Sequence, residues 1–297
     1  MSIALPDLVA SVGLLAVLVL VVGLYAVRVR RGGGVRFARV EAEGSSALLG
    51  APVMNMAYWA VAPLGRTLSR AGIRPNSITL SSLGLGALSG ACVALGHFGI
   101  GAALSAASAL GDALDGFVAR ESGTASDAGE TLDAAVDRYT EFFFLGGLAL
   151  FYHDQPLLLA LVLAALLGSF MVSYATAKAE ALRVTPPRGA MRRAERATYL
   201  TVAAALVPFG GGGVFSWPWS PTLPVLAALG VVAMVANFSA VERLARTAEL
   251  VRDRTIDGSA AAGASGVGRS PSESATAEVA LLAERGRDAG TMRSVVR

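Results

Sequence analysis

Gly111 to Tyr139 reads GDALDGFVARESGTASDAGETLDAAVDRY, which sets four aspartates in a fixed frame, Asp112-x2-Asp115-Gly116-x2-Ala119-Arg120-x8-Gly129-x3-Asp133-x3-Asp137, inside a chain that otherwise reads as membrane helix. A carboxylate placed in a bilayer costs on the order of 2.5 to 3.5 kcal/mol, so four of them call for a compensating cation. On a helix ending near Arg120, Asp112 and Asp115 are three apart and share a face, which Gly116 extends without a side chain. Asp133 and Asp137 are four apart and share a face on the next helix. The polar stretch ESGTASDAG between them is short enough to make the two helices antiparallel neighbours, with all four carboxylates converging at one end. Oxygen-only ligands carrying four negative charges, open on the substrate side, suit two divalent ions, magnesium or manganese.

The 297 residues are 54% hydrophobic and 16% charged, with mean hydropathy +0.57, which excludes an ordinary soluble domain. Seven apolar segments are expected to span the membrane: Leu8 to Val27, Ser77 to Leu95, Ile100 to Val118, Ala134 to Phe151, Leu157 to Ala177, Ala194 to Phe209 and Leu223 to Val241. The fold class is therefore all-α, a polytopic transmembrane helix bundle of six core spans plus one extra N-terminal anchor helix. The first segment is read as a retained anchor because Arg28, Arg30 and Arg31 follow it and no basic region precedes it.

The breaks around His97, around His153 and in GGGGVFSWPWSP carry no Lys or Arg, whereas the alternate breaks carry the basic residues. By the positive-inside rule the second set faces the cytoplasm, with the N-terminus outside and the C-terminus inside. The expected membrane is the bacterial inner membrane. Four regions follow: an anchor over 1–30, a cytoplasmic interfacial connector over 31–73, a membrane domain over 74–250 and a mostly disordered cytoplasmic tail over 251–297. Tyr58 and Trp59 near Arg66 and Arg70 suit an amphipathic helix in the connector, although an ordinary juxtamembrane linker fits equally. The tail is low in bulky apolar groups beyond Asp257, and a short helix near Ala277 to Arg285 is the one element it could hold.

A single cysteine, Cys92, excludes an intramolecular disulfide framework and a thiolate metal cluster. With only His97 and His153 present, both beside predicted helix ends away from the aspartates, a hard cation is favoured over zinc. Gly116 and Gly129 remove side chains where a diphosphate or flat ring would approach backbone, and Arg120 offers a planar fork for phosphate oxygens.

Frame and context together resemble the signature of the CDP-alcohol phosphatidyltransferase family, with all eight motif positions matched. Members are membrane enzymes that move a phosphoalcohol or phosphatidyl group from a cytidine diphosphate donor to an acceptor hydroxyl and release CMP. The resemblance covers roughly Arg74 to Arg243 and implies the role of each residue. Asp112, Asp115 and Asp133 would ligate metal, and Asp137 would assist them and serve as the general base. Gly116, Ala119, Arg120 and Gly129 would line the cytidine diphosphate site. Asn76 and Thr79, at the mouth of the first core span, would join them, although Asn76 or Ser77 as a helix cap explains the same residues. The partners implied are a CDP-linked lipid, a small alcohol, the bilayer and a second copy of the chain, with no nucleic acid.

The stretch SYATAKAEALRVTPPRGAMRRAERATYL holds the only lysine, Lys178, with Arg183, Arg188, Arg192, Arg193 and Arg196. Cations facing the metal site suit an anionic acceptor such as a sugar or polyol phosphate, with Lys178, Arg193 and Arg196 as the candidates. Positive-inside bias alone also supplies several of them. Ser173-Tyr174 to Lys178-Ala179-Glu180 and Arg193-Ala194-Glu195-Arg196 resemble the branch of the family that makes phosphatidylinositol phosphate. Glu141 continues the Asp133 and Asp137 face one turn further, where it could tune the metal, pair with an arginine such as Arg138 of a partner helix, or make a helix-contact hydrogen bond. Two other classes compete: a magnesium-binding membrane transporter, since intramembrane carboxylates also mark ion paths, and a catalytically idle scaffold.

Overall fold

The computed structural model describes residues 5–32, 50–185, 191–210 and 220–266, with the backbone alone over 255–266. Its described residues form eight α-helices: α1 (Leu5–Arg30), α2 (Gly50–Arg70), α3 (Pro75–Ala94), α4 (Phe98–Glu121), α5 (Asp127–Phe151), α6 (Pro156–Ala181), α7 (Arg193–Leu206) and α8 (Leu223–Gly266). A 3-10 turn, Val207–Phe209, follows α7. Contacts divide the chain into two units, Met1–Ala245 and Arg246–Arg297. In the second, Arg246 Nη1 and Glu249 Oε2 form an exposed ion pair at 3.0 Å on one helix face.

Among the described residues, five helices are long and apolar enough to cross a membrane: Leu5–Arg30, Pro75–Ala94, Phe98–Glu121, Pro156–Ala181 and Leu223–Arg254. The chain is an integral membrane protein built as a polytopic helical bundle. Two of the seven expected spans do not meet that standard. Helix α7 has 14 residues, about 21 Å at 1.5 Å per residue, against a hydrocarbon core of about 30 Å. Helix α5 has the length, 25 residues, but from its start to Glu141 it carries Asp127, Glu130, Asp133, Asp137 and Glu141. Beyond Glu141 it is apolar and delivers Phe144, Leu145 and Leu148 to the core.

Helix α8 continues to Gly266, into the region expected to be mostly disordered. Alanines 260–262 carry it, alanine being the strongest helix former, and they outweigh the scattered glycines. The suggested helix near Ala277 to Arg285 lies outside the described residues.

The site rests on how closely α3, α4 and α5 pack. A Cβ on Gly90 would run into the carbonyl of Phe143, and one on Gly147 would run into the carbonyl of Gly90. Backbone therefore touches backbone where α3 crosses α5, the role of small residues at membrane helix contacts. Two hydroxyls tie α3 to α4: Ser89 Oγ donates to the Gly101 carbonyl and Ser108 Oγ to the Ser82 carbonyl, both at 2.7 Å. The core beside this crossing is built from Val93, Phe98, Leu145, Leu148, Val162 and Leu229, all fully buried.

The anchor helix docks by its polar end. Asp7 and Ser11 are the buried residues of α1, and Asp7 Oδ1 accepts from the Ile100 amide at 2.9 Å. That contact satisfies one of the amides left free at the start of α4. At the other end of α1, Tyr25 and Trp59 pack with ring centroids 5.6 Å apart, and the Arg28 guanidinium lies 6.0 Å from the Trp59 ring. Helix α2 in turn places Gly65 under the Phe117 ring of α4, with no room for a Cβ.

Candidate active site

Local sequence sets the turn between α4 and α5. Helix α4 ends at Glu121, Gly123 takes φ +67°, and the chain re-enters helix at Asp127. Ser126 caps α5, its Oγ accepting from the Gly129 amide at 3.2 Å. The turn joins the end of α4 that carries Asp112 and Asp115 to the start of α5 that carries Asp133 and Asp137, and both helices pack chiefly against α3.

Carboxylate oxygens of Asp112, Asp133 and Asp137 lie within 4.8 Å of one another. Asp133 Oδ1 is buried and accepts no hydrogen bond, an orphaned anionic oxygen that a hard divalent cation would satisfy. The donor set fits such an ion. Asp115 is turned aside from this group and is buried, its Oδ2 accepting from Thr79 Oγ1 at 2.5 Å.

Beside the cluster opens a cavity of about 530 Å³, within the size range of small-molecule and cofactor sites. Its walls bring together all six residues expected at the donor site, Asn76, Thr79, Gly116, Ala119, Arg120 and Gly129, with Asp115 and Asp133 at the metal side. The glycines act differently from one another. A Cβ on Gly116 would stand 3.1 Å from Arg120 Nη1, so the missing side chain lets the guanidinium fold over the groove wall. Gly129 supplies the amide that Ser126 caps. Helix capping by Asn76 or Ser77 is not seen: α3 begins at Pro75 behind Arg74, and no side chain caps it.

The three acceptor candidates separate. Arg193, at the start of α7, joins the aspartates: its Nη1 lies 3.2 Å from both carboxylate oxygens of Asp112 and pairs closely with Asp137 Oδ1. Its Nη2 donates to Thr140 Oγ1 at 3.2 Å. Arg196, one turn on, is buried and points to Glu141, with Nε to Oε1 at 2.8 Å and Nη2 to Oε2 at 3.2 Å. Lys178 is exposed in the last turn of α6 and makes no ion pair with the aspartates.

Glu141 therefore pairs with an arginine, but with Arg196 and not with Arg138, which stands 3.8 Å from Asp137. The sequence reading missed both this pair and Thr140. Spacing held a signal for the pair: Arg193 and Arg196 are three apart on α7, and Asp137 and Glu141 four apart on α5, so the two faces match charge for charge in parallel order.

Known proteins carry the same pattern. The CDP-alcohol phosphatidyltransferase profile matches residues 73–242. The phosphatidylinositol phosphate synthase of Mycolicibacterium smegmatis is 33% identical over 189 residues, 60% of this chain and 82% of that protein. The Mycobacterium tuberculosis enzyme of the same name is 31% identical over 205 residues, 65% of this chain and 88% of its own. Crystal structures of the M. tuberculosis synthase superpose with a TM-score of 0.56. The form with CDP-DAG bound is 26% identical and covers 63% of this chain and 92% of that one. The form in complex with manganese and citrate is 27% identical and covers 63% and 88%. Matched motif, fold and relatives make this chain a membrane transferase, and it belongs to the CDP-alcohol phosphatidyltransferase family.

Proposed function

We propose that the protein transfers the phosphatidyl group of CDP-diacylglycerol to a hydroxyl of a polyol phosphate, inositol phosphate first among them, and releases CMP. The observation that carries this is the joining of two sites at Asp133, which belongs both to the donor groove and to the aspartate cluster that Arg193 reaches from the opposite side. A nucleotide diphosphate lying along Asn76, Thr79 and Arg120 would bring its phosphorus to the cluster. Arg193 supplies positive charge on the acceptor side, with exposed Lys178 as a second candidate.

Asp112, Asp115, Asp133 and Asp137 would hold two divalent ions, magnesium or manganese, which when bound screen the diphosphate and favour attack on it. Asp137 takes the proton of the acceptor hydroxyl as that oxygen bonds to the phosphorus bearing the lipid. The bond from this phosphorus to the CMP oxygen breaks, and CMP leaves with the electron pair. Arg120 steadies the phosphates throughout. Gly116 and Gly129 keep the groove wall low enough for the nucleotide to lie against backbone.

The basic ends of α1, α4 and α6 and the starts of α3 and α7 support an active site facing the cytoplasm, N-terminus outside and C-terminus inside. A bacterial inner membrane and a homodimer complete the proposal, with 1–30 as anchor, 31–73 as connector, 74–250 as catalytic domain and 251–297 as tail.

Purified protein with labelled CDP-diacylglycerol, magnesium and a panel of inositol phosphate, glycerol phosphate and free inositol tests this. CMP should appear with the phosphorylated acceptor only when donor and metal are both present. Magnesium flux into proteoliposomes without CMP release would favour the transporter instead.

A further inference from the structure

Arg193 holds two of the three carboxylates that form the metal cluster, Asp112 and Asp137. A guanidinium and a divalent cation seek the same lone pairs, and Asp112 presents both of its oxygens to Arg193 Nη1. Arg193 is not fully satisfied there: its Nε is buried and donates to nothing. Arg196 on the same helix is tied to Glu141 by two hydrogen bonds, although its Nη1 is likewise buried without a partner. The backbone of α7 is thus pinned one turn away, and Arg193 can leave the aspartates by changing its own rotamers. Its side chain is 25% exposed, so its path to solvent is open.

We propose that Arg193 is an exchangeable counter-ion of the metal cluster: a divalent cation and the guanidinium compete for Asp112 and Asp137, and the arginine displaced by the cation becomes the ligand of the acceptor's phosphate. This deepens the proposed function and rests on its metal and phosphorylated-acceptor readings. Two consequences follow from linkage. Arg193 weakens metal binding when no acceptor is present, and a phosphorylated acceptor tightens it, because phosphate holds Arg193 away from the carboxylates. Arg193 thereby acts as a positioning group for the metal as well as a contact for substrate.

The experiment measures manganese binding to the purified full-length protein by electron paramagnetic resonance, with no donor and no turnover. Wild type is compared with Arg193→Gln and Arg193→Lys. A charge-assisted contact of this kind corresponds to roughly ten-fold or more in affinity. Arg193→Gln should therefore bind manganese about ten-fold more tightly than wild type, with Arg193→Lys between them. In wild type, inositol phosphate should tighten manganese binding, after allowance for its own complex with the ion, and free inositol should not. Thermal unfolding of each variant identifies any that is misfolded, and the wild-type comparison needs no variant. Unchanged or weaker manganese binding in folded Arg193→Gln would overturn the proposal, making the arginine a scaffold that holds the carboxylates together. An equal effect of inositol and inositol phosphate would overturn it too. Failure of the proposed function reads out separately, as absence of CMP release from wild type supplied with CDP-diacylglycerol.

Discussion

Arg196 and Glu141 form a two-point ion pair between α7 and α5, at 2.8 and 3.2 Å, with side chains only 1% and 8% exposed. At that depth the pair is more a fastener between helices than a substrate contact. Removing one partner leaves a buried charge uncompensated, which costs about 3–5 kcal/mol. Glu141→Ala and Arg196→Met should each unfold markedly earlier in detergent, and the double variant should lose less than the two single losses added. Simple additivity in denaturant titrations would show that the two side chains are not coupled.

The aspartates should behave as ligands and not as mere polar surface. Changing Asp112, Asp115, Asp133 or Asp137 to Asn keeps the shape but removes the anionic oxygen that a divalent cation requires. CMP release in saturating magnesium should fall to background in each case. A variant turning over near the wild-type rate would remove that residue from the site.

Thr79 should matter through Asp115. Its hydroxyl donates at 2.5 Å to a buried carboxylate in the wall of the donor groove. Thr79→Val leaves that oxygen without its donor, a loss of about 1–3 kcal/mol, so the CDP-diacylglycerol requirement should rise about five-fold to 150-fold. Thr79→Ser should restore most of it. Steady-state rates with the donor varied at fixed acceptor check this, and a selective rise in acceptor requirement would contradict it.

The α3–α5 crossing should tolerate no added methyl at Gly90. A Cβ there meets the Phe143 backbone and not a side chain that could swing aside. Gly90→Ala should cost about 1–3 kcal/mol as an overpacked contact, whereas Gly84→Ala, with open space around it, should be silent. Paired melting curves in one detergent compare them directly.

The carboxylate frame was legible because helical spacing is local: residues three and four apart share a face wherever the helix goes. The residues proposed for the donor, from Asn76 to Gly129, come from three helices and gather in one groove. The number of spans was less legible, because an apolar stretch does not reveal that α7 gives way to a 3-10 turn after 14 residues. Charge content named Arg193 and Arg196 together, yet the fold gave them opposite tasks.

By itself, the sequence determined that this is a helical membrane protein with four aspartates in helical register, since hydropathy and helix periodicity act over a few residues at a time. Tertiary structure alone decided which charges meet: Arg193 with Asp112 and Asp137, Arg196 with Glu141, and Thr79 with Asp115. These partners lie 36 to 81 residues apart in the chain. Their pairing depends on how α3, α4, α5 and α7 pack, and between α3 and α5 that packing is set by glycines whose absent side chains let backbone approach backbone.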